Sequence, residues 1–335
     1  MPKAWVLVLM TLLAACSQPQ VEKLQGYTQG TSYHISYWQE APVDAVHLHQ
    51  QVEARFAEID RTLSNYREDS DIEQFNRSAG GKAHAVPASL VQLVRQAQQT
   101  YQQSEGCYDL TIRPLFKLWG FFDDQLQVPD ETTLNQVLQQ VGMDKLTVID
   151  DTVLQKNHTD VHLDVSSIAQ GYSVAAIAQL METLGIDNYL VEIGGELVTH
   201  GRKPDGQPWR IAIERPLPDE QKLHKILAMP SDRALAVMTS GTYRHFFAHD
   251  GAQYSHILDA RTGKPVTHET VLTTVIDPDP VRADAWSTAL LCLGAERGLA
   301  IANQLGLAAL FIELRAGQLV ETQSQALQAQ QLFVH

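Results

Sequence analysis

Short apolar runs alternate with amphipathic stretches along the whole chain, and the period of each stretch predicts its element. Gly30–Trp38 alternates and is rich in aromatic and β-branched side chains, which predicts a strand. Leu48, Val52, Phe56, Ile59 and Leu63 recur at helical spacing and predict a helix from about Val43 to Leu63. Leu90, Val94, Ala97 and Tyr101 do the same from Ser89 to about Ser104, with Gly106 as the stop. Pro129-Asp130 opens a third helix that carries Leu134, Val137, Leu138 and Val141 inward and ends at Gly142. Val161–Val165 predicts a strand running directly into a helix that ends near Leu184-Gly185. Asn188–Ile193 predicts a buried strand closed by Gly194-Gly195. Further strands are expected at Trp209–Glu214, Ala234–Thr239, Tyr254–Leu258 and Val271–Ile276, and a helix over Arg282–Leu293 with Gly294 after it. Leu305–Glu313 then echoes the helix-to-strand pattern of Leu184–Glu192. This mixture of strands and helices without strict alternation points to an α+β fold.

The N-terminus departs from the pattern. One positive charge at Lys3, a short apolar run and small residues make up Met1–Ala15. The run is too short to span a bilayer, so it reads as a signal peptide. Leu13-Ala14-Ala15-Cys16 resembles the bacterial lipobox, which implies cleavage before Cys16 and acylation of its sulfur and amine. An ordinary signal with an incidental Cys is the alternative. Residues 1–15 are then a signal peptide, residues 16–25 a lipidated Cys and tether, and residues 26–335 the working part of the chain. At about 150 residues per domain, the 335 residues amount to two domains or one large body with a satellite. Hydrophobic residues at 44% and charged residues at 19% exclude wholesale disorder and a multi-span membrane protein. The net charge, 25 − 39 = −14, disfavours a nucleic-acid partner. Three Cys are too few for a disulfide scaffold and badly placed for zinc; Cys107 and Cys292 lie far apart and need not pair.

Several constellations carry candidate chemistry. In Leu163–Tyr172 a strand delivers Asp164 to the mouth of a helix, where Ser167 and Gln170 fit a capping box. Free N–H groups at such a helix start attract phosphate; a structural cap beside a surface Asp is the plainer reading. Gly171 costs helix stability, which suggests a close neighbour. In Ala283–Ala289, Asp284 and Thr288 sit one turn apart on one helix face, with Ser287 beside them. A carboxylate and a hydroxyl suit Mg²⁺, whereas a first-turn Asp is also favoured by the helix dipole. His256, in Tyr254–Pro265, has an ordinary pKa of about 6.5 and can take a proton from a hydroxyl nucleophile; a structural His on a strand is the alternative. Tyr66 follows the first helix among polar groups, and Cys107-Tyr108-Asp109 opens a run with aromatics that can flank a planar ring.

Together, in order, these segments are a recognisable set. Gly30-Thr-x-Tyr, Ser64-x-Tyr-Arg-x-x-Ser, Gly106-x-x-Asp-x-Thr with Pro114-Leu-x-x-Leu-Trp-Gly, Leu163-Asp-x-Ser-x-Ile-Ala-x-Gly-Tyr, Val191-Glu-Ile-Gly-Gly-Glu-Leu, Thr239-Ser-Gly-x-Tyr, Ser255-His-Ile-x-Asp-x-x-Thr-Gly-x-Pro and Ala283-Asp-Ala-x-x-Thr-Ala resemble the ApbE family of FAD:protein FMN transferases. The resemblance covers about Gly26 to Phe311.

It implies a T-fold-related α+β architecture of mixed sheets and helices, in two closely packed lobes with FAD between them and Mg²⁺ on its pyrophosphate. Carried over position by position, FAD contacts fall on Gln29, Tyr66, Cys107, Tyr108, Asp109, Asp164, Gln170 and Leu258. Gln29 stands where Met is usual, and Gln170 where Lys or Glu is common. Metal ligation falls on Ser167 through its backbone carbonyl, on the side chains of Asp284 and Thr288, and on Ser287, a place that some members fill with Asp. His256 matches the candidate base. The implied reaction moves FMN from FAD to a Thr or Ser hydroxyl of a target protein and releases AMP. The implied targets are subunits of membrane NADH:quinone reductase and related electron-transfer complexes. The implied location is the periplasmic face of a bacterial membrane, held by the lipid anchor; the implied targets place it at the inner membrane, whereas Ser17 after the Cys favours outer-membrane sorting. An FAD pyrophosphatase and a plain FAD-binding lipoprotein are the rival readings.

Overall fold

The computed structural model describes residues 19–122, 125–217, 222–243, 246–249 and 252–334. The leader and Cys16 lie outside the described residues. Among those residues no helix is long and apolar enough to cross a membrane.

An eight-stranded sheet organises the chain, and its spatial order follows the sequence. The strands are β1 (Glu22–Thr28), β2 (Thr31–Trp38), β3 (Asn188–Ile193), β4 (Glu196–His200), β5 (Leu235–Gly241), β6 (Thr270–Asp277), β7 (Ala308–Arg315) and β8 (Gln318–Gln323). Every neighbouring pair is antiparallel. All other elements except a last short helix are inserted between these strands. Helices α1 (Ala45–Leu63), α2 (Asp71–Arg77), α3 (Ala88–Gln103), α4 (Arg113–Trp119), α5 (Glu131–Leu138) and α6 (Ala169–Thr183) come between β2 and β3. Helix α7 (Pro280–Leu305) joins β6 to β7, and α8 (Gln325–Gln330) follows β8. A hairpin of Arg210–Glu214 and Leu223–Ala228 lies between β4 and β5.

The period of two in the strands builds two cores, one on each face of the sheet. Ala236 and Met238 of β5 join Tyr33, Ile35, Val191 and Phe311 in a core closed by α1, α6 and α7. Leu235 and Val237 face the other way, into a core closed by Trp209, Ile211, Ile213 and Leu227 around the hairpin and by Leu327 of α8. The five residues whose spacing predicts α1 are all buried, and Asp44 caps the helix by accepting from Val46 N and His47 N. The expected α+β class is what the chain adopts.

Four expectations are corrected. Residues 161–165 form no strand. Side chains supply much of their backbone pairing instead: Leu163 N donates to Asn76 Oδ1 (2.7 Å), Leu163 O accepts from Asn76 Nδ2 (2.9 Å), and Val165 N donates to Asn65 Oδ1 (3.0 Å). Asp164 N donates to Leu110 O at 2.7 Å. Nearby, the buried Lys156 donates from Nζ to the carbonyls of Asn76, Thr159 and Val161. The strand expected over Tyr254–Leu258 is broken, because Ala252–Ser255 and Leu258–Asp259 belong to different hairpins and His256 sits between them. The helix expected to end at Leu293 continues to Leu305 after a break at Gly294, whose φ of 73° only glycine adopts readily. Finally, Cys107 and Cys292 do pair, in a disulfide with a Cα–Cα distance of 6.1 Å.

Asn76 gives the segment 161–165 its fixed course, so Asn76→Ala strips Leu163 N–H of its acceptor. The expected loss is about 1–3 kcal/mol, measured by urea unfolding. A loss below about 0.5 kcal/mol, the range of ordinary surface changes, would show that a ladder or water serves Leu163 instead.

Candidate active site

The starts of α6 and α7, the end of β5 and the segments 107–112 and 256–258 enclose a cleft of about 320 Å³. A second hollow of about 230 Å³, lined by Gln29, Asp60, Asn65 and Tyr66, shares Asp164, Ser166 and Gln170 with it. A third hollow runs along Arg210–Glu214 and shares Gln170, Glu196, Thr239 and Gly241 with the main cleft. The Asp164–Gln170 segment is therefore the partition around which the whole site is arranged.

Where α6 and α7 touch, Gly171 is required. A Cβ there would lie 2.5 Å from Pro280 O and 2.6 Å from Asp284 Cβ. The close neighbour expected from its sequence is thus α7, and Gly171 N donates to Asp284 Oδ2 at 2.7 Å. Among the described residues this is the sole hydrogen bond to the Asp284 carboxylate, which has no ion pair. Burial pushes Asp284 up to about 7, against the opposing effect of the Gly171 N–H. One turn along α7, Thr288 also lines the cleft, and its hydroxyl pairs with Ser240 Oγ at 3.0 Å. These oxygen donors, with a buried carboxylate lacking a cation, fit a hard divalent ion.

The expected site residues fare differently. Gln29, Tyr66, Asp164 and Gln170 line the second hollow, and Tyr108, Asp109, Ser167, His256, Leu258, Asp284 and Thr288 line the main cleft. Gln29 donates to Ser173 of α6 and has a φ of 50°. Tyr66 is exposed and stacks on Phe122 with ring centroids 6.0 Å apart. The Asp109 carboxylate is committed to its own turn, accepting from Thr111 N, Thr111 Oγ1 and Met143 N, and burial pushes it up to about 6. Tyr108 is buried, which raises its phenol, and its hydroxyl accepts from Ser167 Oγ at 3.2 Å. The capping box does not form: Ile168 is the N-cap of α6 without a side-chain bond, and Asp164 Oδ1 instead takes Ser166 N and Ser166 Oγ. Cys107 lines the cleft, but its sulfur is spent in the disulfide. Ser287 does not line the cleft; it is fully buried and its hydroxyl meets Asp284 O and Ser240 Oγ.

The match to the ApbE family model runs over residues 29–311. The chain belongs to the ApbE family. A curated Vibrio cholerae FAD:protein FMN transferase is 37% identical over 305 residues, covering 89% of this chain and 90% of that one. The FAD:protein FMN transferase of Escherichia coli K12 is 33% identical over 298 residues, 88% and 84% of the two chains. The apo crystal structure of Pseudomonas stutzeri flavinyl transferase ApbE matches with a TM-score of 0.85 at 39% identity, over 94% of this chain and 98% of that one. Beside the site residues expected from this ApbE resemblance, Ser240 and Glu196 also line the cleft. Ser240 was visible as a hydroxyl beside Gly241 at a strand end. Glu196 was visible only as the acid after Gly194-Gly195. Gly194, at φ 63°, leaves room for Gln170 Nε2, which would lie 2.5 Å from a Cβ there.

The raised Asp284 sets a pH dependence. Folded protein holds this proton up to about pH 7, whereas unfolded chain releases it near 3.8. The native state thus binds more protons between those values, and stability falls as pH rises through that window. In chelator-treated protein, Asp284→Asn is expected to flatten this part of the melting-temperature profile between pH 4 and 7. Parallel profiles for the two proteins would show that Asp284 does not titrate there.

Proposed function

We propose that the protein is a Mg²⁺-dependent FAD:protein FMN transferase. It would move FMN from FAD to a Thr or Ser hydroxyl of a target protein and release AMP. The observation that carries this reading is the charge of the main cleft. Asp109, Asp164, Glu196 and Asp284 line it, and no Lys or Arg does among the described residues. A pyrophosphate would be repelled there unless a divalent cation came with it. Bound Mg²⁺ would neutralise that charge and polarise the phosphorus nearest the riboflavin.

In this reading Asp284 and Thr288 hold the ion by their side chains and Ser167 by its backbone carbonyl. The flavin and adenine ends of FAD divide between the connected hollows, bounded by Tyr66, Gln29, Tyr108 and Leu258, with Asp164 and Gln170 on the partition. The acceptor oxygen forms a bond to that phosphorus, the bond from phosphorus to the AMP oxygen breaks, and His256 takes the hydroxyl proton. The hollow along Arg210–Glu214 gives the acceptor segment a way in. The chain's contribution is positioning and charge placement. Targets would be subunits of membrane NADH:quinone reductase and related electron-transfer complexes. Acylation of Cys16 would hold the enzyme at the periplasmic face of the inner membrane.

The test incubates mature protein with FAD, MgCl₂ and a target subunit. It reads fluorescent protein on a denaturing gel, and AMP. Transfer with one AMP per flavin attached supports the reading, and AMP and FMN without labelled protein would make the enzyme a pyrophosphatase. His256→Asn is expected to keep FAD affinity and slow transfer by about 10²–10⁴-fold, the range for a lost acid–base group. A normal single-turnover rate would remove His256 as the base. Cys16→Ser is expected to yield active protein in the soluble fraction; membrane retention of that variant would place the anchor elsewhere.

A further inference from the structure

We propose that the Cys107–Cys292 disulfide is a brace that positions the flavin-side wall of the cleft against the metal-binding face of α7. The inference rests on the assignments of Asp284 and Thr288 given above. Asp284, Thr288 and Cys292 follow at four-residue spacing, so they form one stripe along the helix, and all three line the cleft. The stripe is held at one end by Gly171 N and at the other by the bond to Cys107. Two residues beyond Cys292 the helix breaks at Gly294, so the disulfide fixes the last turn of its straight part.

Three segments remote in sequence meet at this bond. Cys107 leads into Tyr108, whose hydroxyl is bonded to Ser167 at the partition. Cys107 and Cys292 pack with Ile257 and Leu291 in a small core of their own, directly under the segment that carries His256 and Leu258. Ala260 N donates to Cys107 O, which ties the end of that segment to the same point. The fold has other supports. Ala283, Ala285, Trp286, Ala289 and Leu290 bury α7 in the main core, and Asp109 holds its own turn. Opening the disulfide therefore releases the cleft wall more than the fold. The step is a two-electron reduction: a dithiol such as dithiothreitol supplies two electrons and two protons, the S–S bond breaks into two thiols, and the dithiol closes to a cyclic disulfide.

The experiment uses mature protein in oxidised form, after dithiothreitol, and after re-oxidation, beside the double variant Cys107→Ala/Cys292→Ala. Free thiols are counted by maleimide labelling and mass after denaturation. FAD affinity is read from flavin fluorescence, transfer as KM for FAD and kcat, and folding as the melting temperature. Reduction is expected to expose two thiols and raise Kd and KM for FAD about tenfold, equivalent to about 1.4 kcal/mol. In the same experiment kcat is expected to fall by a smaller factor than KM rises, since the brace reaches His256 only through the segment it supports. Re-oxidation restores the affinity, and the double variant matches the reduced protein and ignores dithiothreitol. Two free thiols in the native protein, or equal FAD affinity in both redox forms, would overturn the proposal. So would a fall in melting temperature with no change in Kd. If the double variant does not fold, the redox titration of the unmutated protein decides alone. Oxidised protein that binds FAD but transfers nothing would defeat the transferase reading while leaving the brace standing on affinity.

Discussion

The contact between Gly171 and Asp284 governs the site. Helix α6 can approach α7 this closely only because residue 171 has no Cβ. That approach buries the Asp284 carboxylate and gives it one backbone N–H in place of water. A single hydrogen bond does not offset the desolvation of a charge, so the carboxylate holds its proton to about pH 7. The same approach brings the start of α6, with Ser167 and Gln170, beside the stripe of α7 that bears Thr288. A helix spacing too small for any side chain at residue 171 thus assembles the cleft and leaves in it a buried carboxyl that only a proton or a cation can neutralise.

Much of the fold was legible because it rests on periodicity. The spacing of Leu48 to Leu63 fixed which face of α1 is buried, and the alternation in β2 and β5 set strands with two distinct faces. The stability cost of Gly171 correctly announced a close neighbour. Residues 161–165 misled because an apolar extended run looks like a strand whether its backbone bonds go to another strand or to side chains. Here they go to Asn65 and Asn76, nearly a hundred residues away, and no local pattern carries that information. The capping box failed for a related reason. Asp164 captured the nearby backbone N–H of Ser166 first, through an Asx turn, and the helix began at Ala169 with Ser167 turned toward Tyr108.

Site residues were legible as a set and less so one by one. Sequence spacing places Asp284, Ser287 and Thr288 within one turn but cannot say where the edge of the cleft falls. Ser240 of β5 meets both hydroxyls, yet Ser287 lies inside and Thr288 lines the cleft. Asp109 is similar, a carboxylate in the right place whose lone pairs are taken by Thr111 and Met143. The disulfide was unreadable from a separation of 185 residues, since pairing depends on where α7 and the segment after α3 meet in space.

The electrostatics of the cleft join these points. A site for an anionic pyrophosphate commonly recruits Arg or Lys, because fixed positive charge lowers the cost of bringing phosphate out of water. This cleft instead carries carboxylates, and at position 170 a neutral amide beside Gly194. With neither Lys nor Arg among its described lining residues, binding free energy would depend on an ion that arrives with the substrate. An acidic cleft that needs such a partner discriminates against bare phosphates and nucleotides, which meet only repulsion. Carboxylates that oppose a bare anionic ligand and favour only one that carries a cation would make occupancy of this cleft depend on that cation in a way that a basic pocket would not.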